Sequence, residues 1–110
     1  MTENEAASAV VDICYHLHRT YGPGLLETVY EELICYELTK RGVPFERQWA
    51  FKVIHEGMRI GFRADIVVYR CLIVELKSVE HLPEVYFKQI DTYLRVSGLK
   101  LGLLINSKSR

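Results

Sequence analysis

The chain has 110 residues, of which 49% are hydrophobic and 25% charged, a balance typical of one globular domain and unlike that of a disordered segment. Its 14 basic and 14 acidic side chains cancel at neutral pH, which argues against a general polyanion-binding surface and leaves room only for a local basic rim. No apolar run reaches membrane-spanning length, and the acidic start Met1-Thr-Glu-Asn-Glu lacks the regions of a signal peptide, so we expect a cytoplasmic protein with no membrane partner.

Two amphipathic helices are predicted in the first part of the chain. From Glu3 to Tyr21, apolar residues recur at intervals of three and four. Gly22-Pro23-Gly24 interrupts this pattern, and a second helix is predicted from Leu25 to Lys40. The inward stripe of the second helix is predicted to contain Leu26, Val29, Tyr30, Leu33, Ile34 and Leu38.

Glu27 is an acidic residue that the helical pattern places on an inward face. At about 100° per residue it falls on the edge of the apolar stripe, whereas Glu31 falls among the outward residues. A carboxylate in the first helical turn also gains roughly 0.3–1 kcal/mol from the helix dipole. The pattern therefore leaves two interpretations of Glu27 open, a functional carboxylate and a favourable charge at a helix start.

The pattern changes from helical to extended after Gly42-Val-Pro44. Strands are predicted at Gln48–His55, at Arg59–Tyr69 and at Cys71–Lys77, with tight turns between them. We therefore expect an antiparallel meander. In its middle strand, the period of two predicts one face formed by Phe62, Ala64, Ile66 and Val68.

Asp65, Glu75 and Lys77 lie next to the apolar runs of the second and third strands, although burying an unpaired charge costs several kcal/mol. Asp65 lies mid-strand, where Asp is unfavourable. Glu75 and Lys77 share one face of the third strand with Ile73. The tight turn would bring two carboxylates and an ammonium side by side on adjacent strands. The alternative is a strand whose end emerges into water, with Glu75 and Lys77 merely solvated.

The remaining chain predicts one more helix and one more strand. The helix begins near Pro83, and Gln89 and Tyr93 project from it on the same side. After Ser97-Gly98, an apolar strand runs from Leu99 to Asn106, parallel to its neighbour because a helix crosses between them. The order ααβββαβ predicts an α/β fold, a central mixed sheet flanked by helices, in a single domain of residues 1–110.

The predicted carboxylate pair has the chemistry of a magnesium site. Asp65 and Glu75, with the backbone carbonyl of Leu76, supply the hard oxygen ligands that Mg²⁺ prefers, and Mn²⁺ could replace it. Lys77 would stabilise the negative charge that grows on a phosphate or help to deprotonate a water. Glu27 would orient a water or join the metal ligands.

Short motifs along nearly the whole chain resemble those of a known family. Gly24-Leu-Leu-Glu27-Thr-Val-Tyr30 follows Tyr21-Gly-Pro-Gly, and later come Asp65, Glu75-Leu-Lys77, Gln89-x-x-x-Tyr93 and Gly102-Leu-Leu-Ile-Asn106. In order and spacing these segments resemble the GxxExxY proteins of the PD-(D/E)XK nuclease superfamily. Ala64 departs from the superfamily's nominal pattern, which has Pro at this position.

The resemblance implies a restriction-endonuclease-like core and Mg²⁺-dependent cleavage of nucleic-acid phosphodiester bonds, with DNA as the expected substrate. The catalytic set would comprise Glu27, Asp65, Glu75, Lys77 and Gln89. The metal ligands would be Asp65, Glu75 and Leu76. Tyr30, Arg63 and Tyr93 are expected to contact the substrate.

Two classes of function remain open. The complete set of acids and Lys favours a small metal-dependent nuclease. The zero net charge favours the alternative, a catalytically inactive nucleic-acid-binding or protein-interaction module on the same fold. In either case we expect a homodimer, because a chain of this size that ends on a thinly covered apolar strand gains by burying more surface.

Overall fold

The elements of the chain follow the predicted order. The computed structural model describes residues 1–108, without the side chain of Ile60. The elements are α1 (Glu3–Tyr21), α2 (Glu27–Lys40), β1 (Phe45–His55), β2 (Met58–Val68), β3 (Leu72–Lys77), α3 (Glu84–Ser97) and β4 (Leu101–Asn106). Three predicted starts were wrong by two or three residues, because α2, β1 and β4 begin at Glu27, Phe45 and Leu101. Within the described part, no helix is both long and apolar enough to cross a membrane.

One mixed sheet, in the order β1-β2-β3-β4, forms the centre of the fold. The β1–β2 and β2–β3 pairs are antiparallel and the β3–β4 pair is parallel, as the crossing helix predicted. β2 pairs with β1 along nearly its full length, but with β3 only from Ile66 to Val68. Residues 49–64 therefore form a two-stranded ribbon, the hairpin arm, that continues past the end of β3.

Helices cover both faces of the sheet. α1 and α2 pack on one face, against alternate residues of the inner strands that include Ile66, Val68, Leu72, Val74 and Leu76. α3 packs on the other face, where Ile90 meets Ala64, Val67 and Ile73. β3 is thus apolar toward both helical layers, which explains its unbroken apolar run in the sequence.

The buried stripe of α2 differs from the predicted one. Leu26 is 70% exposed and Val29 is exposed as well, while Cys35 is buried. Glu31, predicted to face outward, is buried, and it accepts hydrogen bonds from Arg47 Nε at 2.9 Å and Gln48 Nε2 at 3.0 Å. The reason is that β1 begins earlier than predicted and brings these two donors against α2.

β2 changes face at Asp65, so the prediction that Ala64, Ile66 and Val68 share one face was wrong. Ala64 packs on the α3 side, whereas Ile66 and Val68 pack on the side of α1 and α2. Opposite Asp65, Gln48 has a φ of 50°, and the ladder lacks a pair between these two positions. This local distortion releases the backbone of Asp65 from regular pairing.

A stack of aromatic rings braces the hairpin arm on α3. Ring centroids are 5.8 Å apart for Trp49 and Phe51, 4.7 Å for Phe51 and Phe62, and 4.2 Å for Phe62 and Tyr93. Offset aromatic pairs contribute about 0.5–1.5 kcal/mol each beyond their burial. The stack therefore holds one face of the arm against the body of the protein.

β4 lies at the edge of the sheet, and each of its six residues is partly exposed. A partly covered edge strand offers backbone groups to another chain. The homodimer expected from the sequence stays a prediction.

We expect Gly102→Ala to destabilise the protein by about 1–3 kcal/mol, because overpacking a core has this cost. A Cβ at Gly102 would lie 2.7 Å from Cδ1 and 2.9 Å from Cγ1 of Ile90. Gly61→Ala is the matched control, since the nearest atom to its Cβ would be 3.7 Å away. Urea melts should show the control within about 0.5 kcal/mol of the wild type.

The same substitution in an Ile90→Ala background tests the contact directly. Removing the Ile90 side chain removes both close atoms, so Gly102→Ala should cost less there than in the wild type. Equal costs in the two backgrounds would show that Gly102 is not limited by Ile90.

Candidate functional site

Asp65 of β2 and Glu75 of β3 meet where the β2–β3 ladder stops. The last backbone pair of this ladder is Ile66 with Val74. Beyond it, the Asp65 amide donates to Glu75 Oε1 at 3.3 Å, and the Leu76 amide donates to Asp65 Oδ2 at 2.8 Å. Each carboxylate thus accepts from the backbone of the opposite strand, and the two side chains are adjacent, as the sequence predicted.

The environment of Glu75 opposes its ionisation. The residue is 4% exposed. Burial raises the pKa of Glu75 to about 8, and the negative charge of Asp65 adds to this rise, while Lys77 acts weakly in the opposite direction. Neither carboxylate forms an ion pair within residues 1–108. The pair therefore lacks a cationic side-chain partner in the part of the chain that the structure describes.

Lys77 lies on the face of β3 that carries Glu75, but its ammonium is held elsewhere. Nζ lies over the ring of Tyr86 in α3, 4.5 Å from the centroid. A cation–π contact of this kind contributes about 0.5–2 kcal/mol, depending on exposure. The predicted side-by-side arrangement of Lys77 with the two carboxylates was therefore only partly correct, because α3 supplies an aromatic partner.

Glu27 reaches this end of the sheet from the start of α2. The residue is exposed, so the prediction that it faces inward was wrong, because the helix begins at Glu27 itself. Its Oε1 accepts from the amide of Ser78 at 2.9 Å. Since Ser78 directly follows β3, Glu27 lies at the same end of the sheet as Lys77.

Ser78 and Ser107 tie the Gly24–Tyr30 motif to the ends of β3 and β4, a role that sequence reasoning missed. The Leu25 carbonyl accepts from Ser107 Oγ at 2.9 Å and from Ser78 Oγ at 3.3 Å. The Ser107 amide donates to the Lys77 carbonyl at 2.8 Å, and the Ser107 carbonyl accepts from Gly24 at 2.9 Å. The available signal was a serine placed soon after each of two neighbouring apolar strands.

Gln89 and Tyr93 project together from α3, as predicted. Gln89 Nε2 donates to the Tyr93 hydroxyl at 2.8 Å. The Tyr93 ring belongs to the aromatic stack that braces the hairpin arm. Gln89 lies one turn beyond Tyr86, the residue beneath the Lys77 ammonium. Contact of Gln89 with Lys77 or substrate, and of Tyr93 with substrate, stays a prediction.

The two other residues predicted to contact substrate, Tyr30 and Arg63, differ in exposure. Tyr30 is buried in the core beneath α1, and its hydroxyl donates to the Cys14 carbonyl at 3.4 Å. The prediction that Tyr30 contacts substrate is therefore unsupported, because its ring anchors α2 to α1. Arg63 is exposed on the hairpin arm, two residues before Asp65.

The donor set fits a divalent cation that keeps several waters. Among residues 1–108, no group of three or more His, Cys, Asp and Glu side chains could hold a metal ion. Asp65 and Glu75 supply two carboxylates. The Leu76 carbonyl faces the same strand edge as its amide, which bonds Asp65. Few carboxylates with open positions for water are typical of Mg²⁺.

Comparison with known proteins gives one match. A family model described as the PD-(D/E)XK nuclease superfamily matches residues 4–110. The observed arrangement of helices around a mixed sheet is consistent with the restriction-endonuclease-like fold. The comparisons with curated proteins and with solved structures each gave no match.

The metal-free protein is expected to lose stability as the pH rises from about 4.5 to about 8. The pKa of Glu75 rises from 4.5 to about 8 on folding, so the native state keeps a proton that the unfolded state releases in this range. The stabilisation from this proton is fully present below pH 4.5 and is lost as the pH rises past about 8. Urea melts in EDTA across this range measure it.

Glu75→Gln should flatten this pH dependence, because the amide does not titrate. Glu56→Gln is the control, since Glu56 is an exposed acid in the β1–β2 turn, and it should retain the wild-type slope. A Glu75→Gln protein whose stability falls with pH as steeply as that of the control would contradict the assignment.

Proposed function

The chain belongs to the PD-(D/E)XK nuclease superfamily, and on this basis we propose that it is a metal-dependent nuclease that hydrolyses phosphodiester bonds, with DNA as its substrate. The observation that carries the proposal is the interlocked pair of Asp65 and Glu75. A pair of carboxylates with a purely structural role would be stabilised by a nearby cationic side chain. Neither carboxylate has such an ion-pair partner in the described part of the chain.

We assign Asp65, Glu75 and the Leu76 carbonyl to a Mg²⁺ ion, which Mn²⁺ could replace. When bound, a divalent cation supplies positive charge that stabilises a phosphoryl group under attack. The protein residues hold it at the end of β3, where the two backbone hydrogen bonds fix both carboxylates. The raised pKa of Glu75 supports this assignment, because a cation would offset the burial of its charge.

Lys77 is proposed as the catalytic lysine. Its ammonium rests on the Tyr86 ring and forms no ion pair with a carboxylate of residues 1–108, so its charge is available to a phosphate on the same face. Preorganised charge of this kind stabilises the negative charge that develops in the transition state. Tyr86 would act as a positioning residue.

Glu27 and Gln89 are proposed as supporting residues. Glu27 uses Oε1 to accept from Ser78, which fixes the carboxylate at the end of β3 and leaves Oε2 to orient a water. Gln89 is engaged with Tyr93 and would support the α3 side of the site.

Mg²⁺ or Mn²⁺ should raise the melting temperature of the wild type, since the folded state alone holds the two carboxylates together. The gain should be larger at about pH 8.5 than at about pH 6, because the cation needs an ionised Glu75. Asp65→Asn should lose most of the gain, while Asp91→Asn, in an exposed ion pair of α3, should retain it. Calorimetry that shows equal gains in both variants would place the metal elsewhere.

Lys77→Met should lower cleavage by about 100-fold or more, by removing charge from the transition state. The free energy of unfolding should change by no more than about 2 kcal/mol, since a cation–π contact is lost and the apolar stem is largely kept. Lys100→Met is the matched control, because Lys100 is exposed just before β4, at the opposite end of the sheet. The assay uses single- and double-stranded DNA and RNA with each metal.

The outcome separates the two classes of function. A wild type that cleaves none of these nucleic acids would support the noncatalytic module. A Lys77→Met variant that unfolds much more easily than the control would assign Lys77 a structural role instead.

A further inference from the structure

We propose that the hairpin arm, residues 49–64, binds the phosphate backbone of double-stranded DNA beside the candidate site. This inference rests on the proposed function and adds to it the surface that holds the substrate. The arm is the part of the sheet that continues beyond β3.

One face of the arm carries only basic charges. The cross-strand pairs Ala50–Arg63, Lys52–Gly61 and Ile54–Arg59 alternate with the pairs that contain the stacked aromatic rings. Lys52, Arg59 and Arg63 therefore lie together on the face opposite the stack, and all three are exposed. The acid of this segment, Glu56, lies in the turn at the tip.

These three cations differ from six of the other basic residues that the structure describes. None of them forms an ion pair with a residue that the structure describes, whereas Arg41, Arg47 and Arg95 each do. A neutral protein has no general attraction for a polyanion, but three uncompensated cations on one ribbon create a local one. Phosphate contacts by Lys and Arg supply most of the affinity in nonspecific DNA binding.

Gly61 has no side chain to cover the backbone of the basic face. A Cβ at this position would meet nothing closer than the Phe51 carbonyl at 3.7 Å, and its φ lies outside the left-handed region. Neither backbone conformation nor internal packing therefore requires glycine here. An exposed glycine inside a strand is typical of a place where another molecule approaches the backbone closely.

Aromatic contacts with α3 support the arm. Its other face is held by the stack of Trp49, Phe51 and Phe62 on Tyr93. Arg63 lies two residues before Asp65, so the basic face begins near the carboxylate pair along β2, on the sheet face opposite the one that Glu75 and Lys77 share with Ile73. A nucleic acid bound along the arm would reach the end of the sheet that carries the candidate site.

The form of the surface favours duplex DNA over other polyanions. Proteins that bind single strands present aromatic rings to the bases, but the rings of the arm stack on one another. A two-stranded ribbon fits the major groove of B-form DNA, about 12 Å wide, whereas the major groove of duplex RNA is too narrow for side chains.

The test compares two triple variants with equal loss of charge. Lys52→Gln, Arg59→Gln and Arg63→Gln together remove the basic face. Lys40→Gln, Arg41→Gln and Lys100→Gln together form the control, since these exposed residues lie at the end of α2 and before β4. Circular dichroism and melting temperatures establish that each variant is folded. Binding of a labelled 20-base-pair DNA duplex is then measured in EDTA across a salt series.

We expect the arm variant to bind the duplex at least tenfold more weakly than the control at 50 mM salt. The slope of log affinity against log salt should fall by about 2–3, since each lost phosphate contact removes about 0.9. The wild type should prefer duplex DNA to single-stranded DNA and duplex RNA of the same length.

The possible failures are distinct. Wild-type binding without cleavage in Mg²⁺ would contradict the nuclease proposal and leave the arm proposal standing. Cleavage with equal binding and equal salt slopes in both variants would overturn the arm proposal alone. A wild type that does not bind the duplex, or that binds phosphatidylserine vesicles through the arm instead, would also overturn it.

Discussion

The structure depends on an exchange of two hydrogen bonds at the end of the β2–β3 ladder. Where backbone pairing stops, Glu75 accepts from the Asp65 amide and Asp65 accepts from the Leu76 amide. The distortion of β2 at Asp65 makes this possible, because it frees an amide that regular pairing would use. The backbone thereby holds two acids together, and the burial of Glu75 beside the charge of Asp65 raises the pKa of Glu75.

Other parts of the fold converge on the same end of the sheet. Ser78 and Ser107 fasten the start of α2 to the ends of β3 and β4, which positions Glu27. On the opposite face, Tyr86 holds the Lys77 ammonium, and the aromatic stack sets the hairpin arm beyond the carboxylates. The layer of α1 and α2 thus supplies an acid, Glu27. The layer of α3 supports the Lys77 ammonium and the hairpin arm.

The sequence by itself determined the element order, the parallel pairing of β4 and the pairing of the two acids. These follow from local rules. The helical and strand periods identify the elements, a crossing helix makes the flanking strands parallel, and a tight turn brings Asp65 opposite Glu75. The shared face of Glu75 and Lys77 is also local, because β3 is regular and its period of two holds throughout.

Only the tertiary structure decided which side chains partner these residues. The change of face in β2 was not predictable, since it arises from a distortion shared with Gln48 on another strand. Glu31 is buried because Arg47 arrives from β1, and Tyr30 is withdrawn from the site because α1 covers it. The Lys77 ammonium is directed by Tyr86, which belongs to the next element, α3. Periodicity indicates on which face of its own element a residue lies, but packing between elements decides which other residue it contacts.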